Sequence, residues 1–333
     1  MMKYLNIKIL FLAIFTSTIL LSCEEDDDMV TPVEELNIPS NISIEDNGFF
    51  PEDVVFANNS IFVSGYGDGT IKSIDLSQET AIAQEFVAAE HDYYSRWGLA
   101  SDGTVLLNLL NNPNFQDITM NGPSKLVEYN LATGAKTNEW ALPENTIGNS
   151  VQIVDGKYYV CDWNPTARII QIDPATDNID ATWYTNTTDW VPSSGGLGGV
   201  IYNNEGGFYI AQGGKFWFLP VTDGTPGTLE EVSISGISSI DADGITWAGN
   251  NTFYYAENDA TDPSGNFGKV YKVELSDPTT ATGSILRDGL NDSSGVWFFS
   301  NNDKDYLIIL ESQIGVFFGN NIVLPFNIEI IEL

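Results

Sequence analysis

The chain has 333 residues, with 46 acidic against 13 basic side chains and a formal net charge of −33; 43% are hydrophobic and 12% aromatic. Such a charge opposes binding to nucleic acid, whose phosphates need a basic patch, and to anionic lipid. It leaves cations, neutral sugars and basic partners as acceptable ligands. The two cysteines, Cys23 and Cys161, encode no disulfide framework.

In chain order, Met1–Ser22 reads as an export segment. Lys3 and Lys8 give it a basic start, and the 13 residues Ile9–Leu21 are apolar apart from Thr16, Ser17 and Thr18. That length is short for a membrane-spanning helix and fits a signal-peptide core. Leu20-Leu21-Ser22-Cys23 resembles a bacterial lipoprotein box. The resemblance implies a lipidated Cys23, an envelope location at the outer membrane, and contact with the membrane only through the lipid. Ordinary cleavage near Ser22 is the competing reading. Glu24-Glu25-Asp26-Asp27-Asp28 then repels itself and stays extended, so residues 23–36 read as an acidic tether. An acidic run after such a cysteine also resembles the surface-export signals of Bacteroidota lipoproteins.

From residue 37 to 333 one unit recurs. Its clearest copy, Gly148–Tyr184, holds four strand-like stretches: Ser150–Val154, Lys157–Cys161, Arg168–Asp173 and Ile179–Tyr184. Asp155-Gly156 is a hairpin signal, and Pro174–Asn178 is dense in turn formers. Similar opening phrases begin at Glu52, Trp97, Asn149, Gly196, Asp243 and Ser294, spaced 45 to 52 residues apart. No sustained helical period interrupts them. Six units of about this length predict an all-β fold, a six-bladed β-propeller with four-stranded blades. A sandwich rarely needs six copies of one unit, and solenoid repeats are shorter. The tail Ile322–Leu333 is expected to supply a strand to the last blade, and Asn37–Glu45 its outermost strand.

Alternating strand direction brings the start of each first strand and the end of each second strand to one face. That face is expected to gather the carboxylates Glu52, Asp162, Asp243, Glu257 and Glu311 around a narrow mouth. Like charges packed in a partly dry channel call for a cation, and oxygen-only ligands select a hard one: Ca²⁺ first, another divalent ion next. Zinc is disfavoured, because the chain has one histidine, His91, and Cys161 lies in a strand.

Pro51-Glu52-Asp53-Val54-Val55-Phe56 and Ala242-Asp243-Gly244-Ile245-Thr246-Trp247 resemble two blade openings of gluconolactonase-like (senescence marker protein) propellers. The resemblance implies Glu52 and Asp243 as metal ligands, Asp243 also as the base for lactone hydrolysis, and Asn149 as a substrate contact. Asp162 and Trp97 join the expected substrate-binding set. One position departs from that family: blade four opens with Gly195-Gly196-Leu197-Gly198-Gly199 where a metal-binding asparagine is expected. Glycine offers no side-chain ligand, and the run reads as a close backbone approach at the channel. Tyr158–Asp162 with Ile170–Thr176 also resembles the Tyr-Val-Thr-Asn repeats of surface-layer propellers.

Glu90-His91-Asp92 lies in a blade connection, and no Gly-x-Ser-x-Gly elbow or phosphate loop is present. Tyr93, Tyr94, Trp97, Trp163 and Trp190 could stack on a sugar near the mouth or pack as core. Two functions fit: a binding module presenting an acidic, metal-occupied mouth to a small molecule, glycan or protein, or a metal-dependent lactonase or related hydrolase.

Overall fold

The computed structural model describes residues 36–90, 95–111, 124–163, 167–190, 196–239, 241–258, 267–317 and 322–333. The expected signal segment, Cys23 and most of the acidic tether lie outside the described residues, as do His91, Tyr93 and Tyr94. Among the described residues the fold is all-β apart from one helical turn, Ile314–Phe317, and no helix is long and apolar enough to cross a membrane.

The strands form antiparallel meanders. One sheet runs Pro51–Ala57, Ser60–Gly65, Ile71–Asp75, Gln84–Val87; the next Ser95–Ser101, Val105–Asn111, Lys125–Asn130, Lys136–Ala141; the third Gly148–Val154, Lys157–Asp162, Arg168–Asp173, Asn178–Thr185. A nine-stranded sheet follows. It joins the meander from Val200–Tyr202 to Glu230–Ser235 with the meander from Ala242–Gly249 to Thr280–Leu290. The join is a parallel pairing of Ser233–Ser235 with Thr280–Thr282. The last sheet holds Ser293–Asn301, Lys304–Glu311 and Phe326–Glu332, and Asn41–Ile44 adds its outer strand. The two ends of the described chain thus share one sheet, and Ile42, Ile44, Phe326, Ile328 and Ile330 are buried where they meet.

Local sequence explains the hairpins. Asn58-Asn59, Asp155-Gly156, Asn250-Asn251 and Asn302-Asp303 all have positive φ at both residues and connect first strands to second ones. Two left-handed residues make the turn whose twist matches the flanking strands, and Asn, Asp and Gly tolerate it best. Only Asp155-Gly156 stands out in the sequence as such a pair. Cys161 is a free, fully buried thiol in the core, as a small hydrophobe would be.

The first strands pack side by side in a closed ring, from Pro51–Ala57 through Ser95–Ser101, Gly148–Val154, Val200–Tyr202, Ala242–Gly249 and Ser293–Asn301 back to Pro51–Ala57. Glycines set how closely they approach. A Cβ at Gly98 would lie 2.4 Å from the Asn149 carbonyl oxygen, one at Gly199 2.3 Å from that of Asp243, and one at Gly244 2.5 Å from that of Ser294. A ring of such meanders about a central axis is a β-propeller.

Candidate functional site

Each first strand except the short Val200–Tyr202 carries an irregularity at its opening end. Pairing with the second strand breaks between Pro51 and Val54, Arg96 and Leu99, Gly148 and Val151, Ala242 and Ile245, and Ser293 and Val296. The skipped residues are Glu52-Asp53, Trp97-Gly98, Asn149-Ser150, Asp243-Gly244 and Ser294-Gly295. A β-bulge frees residues from the ladder and re-aims their side chains. Four of these bulges, with Gly198 and Gly199, line one cavity on the axis.

The structure brings Glu52, Asn149 and Asp243 together in that cavity, joined by Asp53, Ser150, Gln152 and Ser294. It is small and open on one side, with about 20 Å³ in which the centre of a water molecule can lie. Glu52 is 8% exposed, and its Oε2 has no hydrogen-bond partner. Burial pushes the Glu52 carboxyl well above the usual carboxylate range, and the neighbouring Asp243 and Asp53 carboxylates add to the shift. Burial likewise pushes Asp243 up to about 7, with Asp241 adding to the shift and the Asn258 side-chain N–H, donating to Oδ2 at 2.7 Å, opposing it. Asp53 rises to about 6 on burial, against two backbone N–H donors: Leu99 at 2.7 Å and Val54 at 2.8 Å. The Asn149 amide donates to the Leu197 carbonyl at 3.2 Å, which fixes its orientation.

Other expected site residues lie elsewhere. Asp162 is fully buried, pairs with Arg168 at 2.9 Å and accepts the Ile147 N–H at 3.0 Å. Glu257 accepts the hydroxyls of Ser239 and Tyr271, each at 2.8 Å, and Glu311 accepts the Asn291 backbone N–H at 2.9 Å. These three carboxylates lie at or next to the ends of second strands, one strand out from the axis behind the bulged first strands. The mouth therefore gathers Glu52, Asp53 and Asp243 rather than the five carboxylates expected. Trp97 is not among the cavity residues: its indole N–H donates to Ser95 at 2.6 Å, and its ring stacks on Tyr66. Trp190 is buried.

The opening of the fourth meander also shifts from the expected Gly196. Gly198 and Gly199 occupy the place of Glu52 and Asp53: Gly198 N–H donates to the Ala211 carbonyl, and Ala211 N–H to the Gly199 carbonyl. The glycine run is the close backbone approach anticipated from its composition.

Asp53 was not singled out from the sequence, although it adjoins Glu52 in the same phrase. Its role depends on a bond to Leu99, 46 residues away. Asp162 carried a usable signal: Arg168 stands directly opposite it in the antiparallel register.

Among the described residues no group of three or more His, Cys, Asp or Glu is arranged to hold a metal ion. The cavity offers a smaller oxygen set, Glu52 and Asp243 with the Asn149 amide beside them. The orphaned Glu52 Oε2 and the mutually raised carboxyls are what a cation would relieve.

No protein-family model matches the chain, and no characterised protein matches it in sequence. Solved structures do share its fold. The major allergen Mala s 1 of Malassezia sympodialis superposes with a TM-score of 0.67 at 14% identity, covering 88% of this chain and 96% of its own. A luciferin-regenerating enzyme gives 0.59 at 10% identity over 87% and 95%. The PQQ-bound aldose sugar dehydrogenase of Streptomyces coelicolor gives 0.56 at 12% identity over 88% and 99%. At these identities the likeness shows the fold alone, which is found in two enzymes and an allergen. The chain is a β-propeller.

Proposed function

We propose that this chain is a six-bladed propeller, the nine-stranded sheet being two blades zipped together by its parallel pair, and that it serves as a binding module for a divalent cation at the channel mouth. The buried, partnerless Oε2 of Glu52 carries this reading. Glu52 and Asp243 would hold the ion, with Asn149 beside them. A set of oxygens alone suits Ca²⁺, or another hard divalent ion. The ion-bearing mouth would then present itself to a small-molecule, glycan or protein ligand, with Trp97 in the rim. Asp162, consumed by Arg168, would act only by supporting the backbone at Ile147.

The second reading is a metal-dependent lactonase of the gluconolactonase-like type. It draws on Asp243, whose carboxyl at about 7 is in the range a general base needs near neutral pH. One observation favours the binding module instead: Gly198 stands where the gluconolactonase-like family places a further side-chain ligand.

The test is the melting temperature of the chelated protein on adding Ca²⁺. Saturation at a hundred times Kd raises it by on the order of 5 °C, and Glu52→Gln removes the rise. No shift in the wild type overturns the ion site. Turnover of simple lactones by wild type and lost in Asp243→Ala would favour the hydrolase; turnover unaffected by Asp243→Ala would remove Asp243 as base. We place the protein at the cell envelope through lipid on Cys23, so Cys23→Ser should move it from the membrane to the soluble fraction.

A further inference from the structure

Where the fourth and fifth meanders join, the strand Glu230–Ser235 changes partners. Its first half pairs with Lys215–Thr222 as far as Val232 opposite Phe216, and its second half pairs in parallel with Thr280–Thr282. Successive residues of a strand direct their N–H and C=O to opposite edges. Ser233 N–H donates to the Thr279 carbonyl at 2.8 Å, toward the fifth meander. Ile234 therefore directs its N–H and C=O the other way, to the edge on which Val232 meets Phe216. The next partner there would be Gly214, and the pairing stops short of it. Gly213-Gly214 is instead the turn between Gln212 and Lys215, and the Gly213 carbonyl accepts the Ala242 N–H at 2.9 Å. Ile234 and Gly214 line a cavity in the fork that results, with about 260 Å³ in which the centre of a water molecule can lie. It shares no lining residue with the cavity on the axis. Lys215 and Glu231 line it as a 3.1 Å ion pair. Ser239 lines it too, and its hydroxyl donates to Glu257, which leaves its oxygen an acceptor. Elsewhere the molecule shows what clasps a lone main-chain N–H and C=O: the Gln313 carboxamide donates to the Val323 carbonyl at 2.7 Å and accepts the Val323 N–H at 3.0 Å.

We propose that this fork is a second binding site, one for a primary carboxamide that closes on the Ile234 N–H and C=O as Gln313 closes on Val323. The group has one carbonyl acceptor for the Ile234 N–H and two N–H donors. One donor serves the Ile234 carbonyl, and Ser239 supplies an acceptor oxygen in the same cavity for the other. A carboxylate has no donor for the Ile234 carbonyl and an ammonium has no acceptor for its N–H. The net charge of −33 further repels the carboxylate, and the Lys215–Glu231 pair, already neutralised within itself, favours neither sign. A peptide strand gains little, because the free edge is one residue long: the pairing with the fifth meander ends at Ser235, and Gly236 follows with a φ of 87°. The carboxamide can arrive on free glutamine or on a glutamine side chain of a protein partner. The site is independent of the cation reading.

The experiment is a magnetic-resonance titration of the full chain labelled with ¹⁵N-isoleucine, read at the Ile234 amide. The probes are L-glutamine, L-glutamate, and the tripeptides Gly-Gln-Gly and Gly-Ala-Gly, both acetylated and N-methylamidated. L-glutamine or the glutamine peptide should move the Ile234 signal saturably, and L-glutamate and the alanine peptide should leave it in place. A shift by L-glutamine alone assigns the site to a free amino acid, and a shift by the glutamine peptide, with or without it, assigns a protein partner. Ser233 is exposed and lines the cavity, so Ser233→Trp should fill the fork and abolish the shift. Ser239→Ala should raise the dissociation constant about fivefold, and it carries the comparison if Ser233→Trp does not fold. No shift by either glutamine probe, an equal shift by L-glutamate or by the alanine peptide, a shift that survives Ser233→Trp, or an unchanged constant in Ser239→Ala overturns the proposal.

Discussion

A carboxylate that leaves water without a counter-ion either takes up a proton or waits for a cation, and Glu52 is in that position. With Asp53 raised to about 6 and Asp243 to about 7, from ordinary values of 3.8, the folded, metal-free protein binds more protons than the unfolded chain between about pH 4 and pH 7. Stability from these groups is fully present below the ordinary carboxylate range and is lost as pH rises through about 7. In chelator, the melting temperature should therefore fall from pH 5 to pH 7.5, and Glu52→Gln should flatten that fall. A melting temperature constant or rising over this interval would contradict the burial assigned to the three carboxyls. The phrases around Glu52, Asn149 and Asp243 made these residues legible in the sequence. Asp162, Glu257 and Glu311 misled because acidity alone does not say whether a partner is near. Their partners are Arg168 across a strand pair, Ser239 and Tyr271, and Asn291.

Among the strands, the decisive feature is the bulge that opens the first strand of five meanders. A period-two reading finds the strand but cannot see that two of its residues are skipped by the partner, because the skip depends on the neighbouring chain. The fourth meander solves the same problem with glycines. Gly199→Ala would set a methyl 2.3 Å from the Asp243 carbonyl oxygen, against rigid backbone. It should cost about 2–3 kcal/mol of stability and weaken Ca²⁺ binding by displacing Asp243. Gly156→Ala meets nothing within 4 Å and bears only the strain of its positive φ of 72°, about 1 kcal/mol. Chemical denaturation of the two variants checks the contrast; equal losses would mean that close approach at Gly199 is unimportant.

For the molecule as a whole, the topology fixes which face meets what. First strands open at the mouth, so third strands end on the opposite face. Leu76, just past the third strand Ile71–Asp75, accepts the Asn37 backbone N–H at 3.1 Å and donates its own N–H to the Asn59 turn. The chain therefore enters the propeller on the face away from the cavity before Asn41–Ile44 runs up beside Phe326–Glu332.

The sequence by itself determined the repeat, the hairpins that punctuate it and the all-β class, because turn residues and alternating apolar positions act over a few neighbours. It also marked Glu52, Asn149 and Asp243 through the likeness of their opening phrases. Only the tertiary structure decided that bulges turn these three toward one cavity, and that Asp53 joins them through Leu99. It likewise decided that Asp162, Glu257 and Glu311 are spent on internal partners. The partners of Asp162, Glu257 and Glu311 lie 6 to 20 residues away, but the cavity itself rests on contacts between segments more than 40 residues apart, Asp53 to Leu99 and Asn149 to Leu197. The closing of the ring creates those contacts, and no local pattern encodes them.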